Sequence, residues 1–343
     1  MGSIVSGFPL ELHHKGYQDP TEPRNNHSLA RGDKESCDRA PPPKARPLEL
    51  TIWEYVSVKK VAVLTDSTCC LPQELLQSYD ISLVPLLIVY ENKSYRDGID
   101  MSPGEVYKIM RRRENLPTTS TPSAGDFLDA YTRLSEKAET ILCITLTGLQ
   151  SKILDTALVA REMAKEAIPN TTIEVIDSRA VAGALGFIVL EAARIASEEG
   201  ELVQAIDAAR GMLGRVNFLA MLDTLFYLAR TGRIGRATAW AASLLDMKPI
   251  VEHSPSIGET TPLARPRTKA KAIEHMLKTM TERVGDSRVH VIVHHADELE
   301  EGERLKAAIG SRFNCAELHL TEFTPVMGVH AGPGVLAISF YAD

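Results

Sequence analysis

The chain lacks the features that would mark a membrane protein, a nucleic-acid binder or a disulfide scaffold. No stretch reaches ~18 consecutive apolar residues, the length at which a spanning helix is read. The opening MGSIVSGFPLELHHKG has no apolar run of the signal-peptide kind. The net charge is −7, without the basic surplus that nucleic-acid binding normally needs. The five cysteines, Cys37, Cys69, Cys70, Cys143 and Cys315, are odd in number and irregular in spacing. None forms C-x-x-C, and adjacent Cys69-Cys70 is no metal-ligand pattern, so reduced thiols in a cytoplasmic protein are expected. The G-x-x-x-x-G-K-[ST], G-x-S-x-G, H-E-x-x-H and G-x-G-x-x-G loops are all absent, which leaves a nucleotide-using enzyme built on one of them unsupported. MGSIVS does match the short myristoylation pattern M-G-x-x-x-[ST].

What is present is an ordinary apolar content, 44% of 343 residues, enough for a core and long enough for two domains. Residues 1–58 carry APPPKARP, scattered charge and little periodicity, and read as a disordered or unrelated extension. Beyond them strands alternate with helices, which places the chain in the α/β class with two lobes, 59–177 and 178–343. VAVLT (61–65) is a buried parallel strand with a functional loop at its carboxyl end. ISLVPLLIVY (81–90) is the next strand region, and SPGEVYKIMRRR (102–113) a helix opened by Ser, Pro and Glu. TTSTPS (118–123) reads as loop, TILCITL (140–146) and TTIEVIDS (171–178) as strands, and ILDTALVAREMAKEA as a helix. The second half opens with three helical stretches, ALGFIVLEAARIASEEG, LVQAIDAARGML and MLDTLFYLARTG. Strands KPIVEHSP and CAELHLTEFT, strand RVHVIVHHA and a last strand GVLAISFY follow, with helices between; no internal repeat is visible.

Three hydroxyl-rich loops sit at strand ends: Thr65-Asp66-Ser67-Thr68, Thr118-Thr119-Ser120-Thr121 and Asp177-Ser178. In open α/β sheets ligands bind beyond the carboxyl ends of strands, and hydroxyls there suit a carboxylate or phosphate. The competing explanation is that each caps the helix that follows. His330 precedes Gly332-Pro333-Gly334 in what reads as a loop built to aim one side chain, although a lone histidine is more often structural. His294 and His295 are adjacent on a strand, point to opposite faces, and make poor joint metal ligands. Arg230, Arg233 and Arg236 recur every third residue in LARTGRIGRA, which on a helix is one face: either a solvated basic face or a docking surface for an anionic partner or lipid headgroups.

Four blocks together resemble the DegV family: VAVLTDSTCCLP, LPTTSTPSAGDF, FYLARTGRIGRATAWAASLLDMKPIVEHS and TPVMGVHAGPGVLAISFY, in the family's order and across roughly 59–343. The resemblance implies a two-lobed DegV-like fold, an N-terminal Rossmann-like lobe and a C-terminal α/β lobe with a ligand between. It further implies a non-enzymatic carrier of one long-chain fatty acid, with no cofactor and no metal, which presents the carboxylate to a separate fatty-acid kinase. By the same resemblance Thr119, Ser120 and His330 would hold the carboxylate, Asp66 and Ser67 would line the head end, and Ser151 and Gly332 would complete the site. Arg230 and Arg233 would contact the kinase or, transiently, a membrane surface. Two departures stand out. Gly148-Leu149-Gln150-Ser151-Lys152 replaces the family's Leu-Ser-Gly-Thr-like loop, and DSRAVAGALGF stands where Ser-x-Gly is common.

Hydroxyls and an imidazole N–H can hold a carboxylate without a permanent positive charge beside it, leaving an oxygen able to attack a phosphoryl donor. The tail needs apolar walls, for which ALGFIVLEAARIA, FLAMLDTLFYLA and AWAASLLDM are candidates. At about 0.8 kcal/mol per buried CH₂, the tail would dominate affinity and the head orientation. The alternatives are a small-substrate enzyme in which His330 is the general acid or base, and a regulatory protein with a structural lipid.

Overall fold

A computed structural model describes residues 59–240 and 247–343. The extension 1–58, with MGSIVS and Cys37, lies outside the described residues, as does most of AWAASLLDM. The strands and helices, in chain order, are β1 (Lys59–Asp66), α1 (Gln73–Ser78), β2 (Ser82–Val84), β3 (Leu87–Tyr90), β4 (Lys93–Arg96), α2 (Pro103–Arg111), β5 (Thr118–Ser120), α3 (Ala124–Ser135), β6 (Ala138–Thr145), α4 (Ile153–Ala167) and β7 (Thr172–Asp177). They continue with α5 (Ala182–Ser197), α6 (Leu202–Met212), β8 (Asn217–Met221), α7 (Phe226–Thr231), β9 (Ile250–Ser254), β10 (Glu259–Ala264), α8 (Lys269–Val284), β11 (Val289–His295), α9 (Leu299–Arg312), β12 (Cys315–Glu322), α10 (Pro325–Ala331) and β13 (Leu336–Ala342).

Strands β1, β2, β6 and β7 form a parallel sheet in the order β2-β1-β6-β7. The last six residues of β1 are all buried, as a parallel strand covered on both faces requires. The second sheet runs β10-β9-β8-β13-β11-β12 and is antiparallel except for the β11–β12 pair. Between the two sheets lies α5, which packs on β1 from one side and on β8 and β13 from the other. Its sequence AGALGFIVLEAARIAS is apolar nearly all round, and residues Ala182 through Leu190 are all buried. A helix without a polar face belongs inside a core. The core around α5 joins both sheets, while α8 and α9 close a second core against the far face of the six-stranded sheet, with Met276, Met280, Ile309 and Phe340 at its centre.

A third, small antiparallel sheet, β4-β3-β5, differs from the sequence expectation twice. ISLVPLLIVY is not one strand: it breaks at Pro85, β2 joining the parallel sheet and β3 the small one. TTSTPS is not all loop, because Thr118–Ser120 pairs with β3, Thr119 opposite Ile88. Two further differences lie later in the chain. MLDTLFYLARTG is not one helix: Met221 ends β8, and only Phe226–Thr231 is helical. His330 is not in a loop, since it lies in the last turn of the seven-residue α10.

Helix caps follow the sequence closely. Ser102 and Glu105 exchange bonds around the start of α2, and Ser123 and Asp126 do the same for α3. The four described cysteines are unpaired. Burial pushes the Cys69 and Cys143 thiols up to about 12, which keeps both protonated. Among the described residues no helix is long and apolar enough to cross a membrane.

Candidate functional site

Helix α10 packs on α2, on α7 and on the β3 and β5 strands of the small sheet, so the end of the chain closes over segments far from it in sequence. Two glycines let it do so. A Cβ on Gly328 would lie 2.7 Å from the Tyr107 ring, and one on Gly332 would lie 2.2 Å from the Tyr227 ring. Gly332 also has φ +85°, outside the usual range of other residues. This docking brings His330 against β5, where its Nε2 lies 3.0 Å from the Thr119 hydroxyl across 211 residues of sequence.

Thr119 and His330 stand at one part of a cavity of about 280 Å³. Ser120, Thr121, Gln150, Ser151, Lys152 and Arg233 add polar groups to the lining, and Leu86, Leu146, Val181, Phe218, Leu222 and Phe323 form much of the apolar wall. A mainly apolar cleft with a few polar groups at one place is the usual form of a lipid or cofactor site. The walls come from the six-stranded sheet, the small sheet and the loops after β1 and β6. FLAMLDTLFYLA does supply wall residues, Phe218, Ala220, Leu222 and Leu228. The body of α5 does not, being core between the sheets.

His330 is held neutral. Burial, then the charges of Arg233 and Arg230, depress its imidazole from the ordinary value down to about 3. Its Nδ1 is shielded from solvent and has no hydrogen-bond partner. The ring therefore offers one nitrogen beside Thr119 and a second that is unpartnered. An acceptor oxygen placed near the Thr119 hydroxyl and Nε2 could be reached by both, since the two atoms are already at hydrogen-bond distance.

The other sequence candidates divide into two sets. Ser120 and Ser151 line the cavity; Ser120 Oγ donates to the Thr121 carbonyl at 3.3 Å, and Ser151 Oγ accepts from Ile153 N at 3.3 Å. Asp66 and Ser67 lie behind the wall. Asp66 is fully buried, and its carboxylate accepts from Thr68 N at 3.0 Å, Thr68 Oγ at 2.5 Å and Leu146 N at 2.7 Å. Ser67 Oγ donates to Asp97 at 2.6 Å and accepts from Leu86 N at 3.1 Å. Neither has a free group to offer a head group, although Thr68, next in the same loop, lines the cavity. Gly332 shapes the end of α10 without lining the cavity.

The three arginines do not share a helical face, because α7 ends at Thr231 and Gly232 takes φ +71°. Arg230 is exposed and donates to the Pro117 and Leu116 carbonyls at 2.8 and 2.6 Å, fastening the segment before β5. Arg236 is exposed and pairs with Glu259 at 3.0 Å. Arg233 turns inward, donates to the Thr231 carbonyl at 2.6 Å and lines the cavity. The expectation of a head-group site without a permanent charge therefore needs correction, for the charge of Arg233 reaches His330. In the departed loop, Gln150 Nε2 donates to Thr260 Oγ at 3.0 Å, so the replaced segment is tied to β10 rather than left open.

His294 and His295 do face opposite ways, His294 toward Gly183 of α5 and His295 toward Gly302 of α9. Sequence reading missed two residues that matter to this geometry, Asp97 and Arg233 as a lining group. Asp97 lies in RDG, whose Gly98 takes φ +70°, but nothing local shows that the carboxylate is buried.

With the geometry in place, comparison with known proteins assigns the family. A family model described as an uncharacterised protein of the DegV family matches residues 60–343. A DegV domain-containing protein of Clostridium acetobutylicum is 32% identical over 284 residues, covering 82% of this chain and 98% of the relative. A DegV family protein from Thermus thermophilus, described for its fatty acid binding, superposes with a TM-score of 0.76 at 28% identity, over 83% of this chain and 100% of the other. DegV of Bacillus subtilis, described as a fatty acid binding protein, gives 0.74 at 27% identity over the same shares. The chain belongs to the DegV family.

Proposed function

We propose that this protein holds a long-chain fatty acid in the cavity between its sheets and presents the carboxylate to a partner fatty-acid kinase. The observation that carries this is the Thr119–His330 pair, a hydroxyl and a neutral imidazole set 3.0 Å apart on a largely apolar cavity. The two solved relatives described as fatty acid binding proteins supply independent support. Thr119, Ser120 and His330 would receive the carboxylate, and Arg233 would lie close enough to add charge. The hydroxyls and the neutral imidazole would orient the head group, with the charge of Arg233 nearby, and would leave one carboxylate oxygen able to attack a phosphoryl group. Arg230, exposed beside the same end, would face the kinase or an anionic membrane surface. The protein would act as a carrier, with no cofactor of its own.

Native mass spectrometry of freshly purified protein, followed by extraction and fatty-acid analysis, tests the first half. A stoichiometric fatty acid, released on denaturation, is the expected result. A protein that is empty and takes up no added fatty acid would defeat the carrier role. Incubation of the loaded protein with a fatty-acid kinase and ATP, trapping acyl phosphate with hydroxylamine, tests the second half. Turnover of a small acidic substrate by the protein alone, lost in His330→Ala, would instead identify His330 as a general acid or base.

A further inference from the structure

Asp97 is 4% exposed and lies just after β4. A carboxylate in such a place must be satisfied by donors, and its two oxygens have different ones. Oδ2 accepts from Ser67 Oγ at 2.6 Å, and Oδ1 accepts from Val326 N at 2.9 Å, 229 residues away. Val326 is in the first turn of α10. The residue at the cap position, Thr324, makes no side-chain cap bond, and Pro325 has no N–H to offer. The free amide at the start of this helix is therefore capped from another part of the chain.

The other arm reaches Leu86, another part of the cavity wall. Asp97 N donates to the Leu86 carbonyl at 2.9 Å, and Ser67 Oγ, itself bound to Asp97, accepts from Leu86 N at 3.1 Å. Leu86 is thus gripped through both of its backbone groups. It lines the cavity and immediately precedes β3, on which β5 and Thr119 are registered. On the α10 side, His330 lies four residues after Val326, one helical turn along the same face.

We propose that Asp97 is a positioning residue that sets the spacing between Thr119 and His330, by capping the helix that carries one and holding the strand entry that aligns the other. The proposal rests on the head-group role of that pair, but its test does not need the ligand. In the full chain, the His330 ring is followed by long-range ¹H–¹⁵N correlation, assigned by its loss in His330→Phe. Asp97→Asn keeps an oxygen for the Val326 amide and a partner for Ser67, so the His330 signals should stay close to wild type. Asp97→Ala should shift or broaden them and cut fatty-acid retention at least tenfold. Leu305→Ala, in the separate core beneath α9, serves as a control of matched thermal destabilisation and should leave the His330 signals in place. Should Asp97→Ala fail to fold, Ser67→Ala, which removes one arm only, is expected to move the same signals by less. Wild-type His330 signals in the Ala variants, or equal disturbance in Leu305→Ala, would overturn the positioning role. Disturbed His330 signals in a wild-type background that binds no fatty acid would leave the positioning role standing and defeat the carrier role instead.

Discussion

Two histidines in different regions, one half-buried and one fully buried, have similar hydrogen-bond surroundings and different consequences. His330, at the seam, has Nε2 3.0 Å from the Thr119 hydroxyl; His294, inside the six-stranded sheet, has Nε2 3.0 Å from the Ser339 hydroxyl. Each has an unpartnered Nδ1, and burial depresses each to about 3. What differs is what lies beyond the ring. His294 is fully buried, stacks on Phe323 with ring centroids 5.2 Å apart, and fits only because Gly183 has no side chain. His330 borders open cavity. A depressed imidazole with a hydroxyl partner is therefore not a site by itself; access makes the difference.

The comparison can be broken most forcefully from the sealed side. A Cβ on Gly183 would lie 2.6 Å from His294 Nε2 and 2.8 Å from Ser339 Oγ. Gly183→Val should cost about 3 kcal/mol or more in urea unfolding through overpacking, and any fatty acid still bound by the folded fraction should be held as in wild type. A pH series tests the sealed side in a second way. The folded-state values of His294, at about 3, and His253, at about 4, lie below the unfolded value, so the unfolded chain takes up protons first as pH falls. Stability from these rings is full above the unfolded imidazole value and is lost as pH drops toward the folded ones. Each contributes a slope of about 1.4 kcal/mol per pH unit, or roughly 2 kcal/mol between pH 6.5 and 5. Asp97, raised by burial to about 6, works the other way in the lower part of that range. The urea midpoint should fall on acidification, and His294→Leu should flatten the fall.

On the open side the effect should appear in the ligand. His330→Phe keeps a ring of similar volume and removes the donor. A hydrogen bond to a charged group is worth about 1.5–3 kcal/mol, so fatty-acid dissociation should accelerate about thirtyfold, with little change in thermal midpoint. Dissociation unchanged in this variant would place the carboxylate elsewhere, the cationic Arg233 and Lys152 of the lining being able to receive it.

How much of this was visible in the sequence depended on whether the signal was local. The alternation of strands and helices, the helix start at Ser102 and the all-apolar α5 are written in neighbouring residues and agree with the structure. Strand β5 was missed because Thr118-Thr119-Ser120 carries no apolar alternation; it is a strand only because β3 lies beside it. Strand β8 was hidden within a run of apolar residues, where length alone cannot separate strand from helix. Helix α10 looked like a loop since it has only seven residues, with Gly328 inside it and Gly332 at its end, and its stability comes from its seat on Tyr107 and Tyr227. The pairing of Thr119 with His330 came from family resemblance, not from spacing. Asp97 had no signal at all, because both partners of its carboxylate lie far along the chain.

Thr119→Val offers the finest test, because it is expected to do least. The substitution keeps the branched shape that suits β5 and removes one hydroxyl. In the unliganded protein it takes a partner from His330, and in the loaded protein it takes a donor from the carboxylate, so the two losses partly offset. The net change should be about 1 kcal/mol, a roughly fivefold faster release of fatty acid. Thr119→Ser should restore most of it. Combined with His330→Phe, the two changes should fall well short of additive, as they do when two groups hold the same atom. Full additivity would mean that Thr119 and His330 act on the ligand separately, despite the 3.0 Å between them.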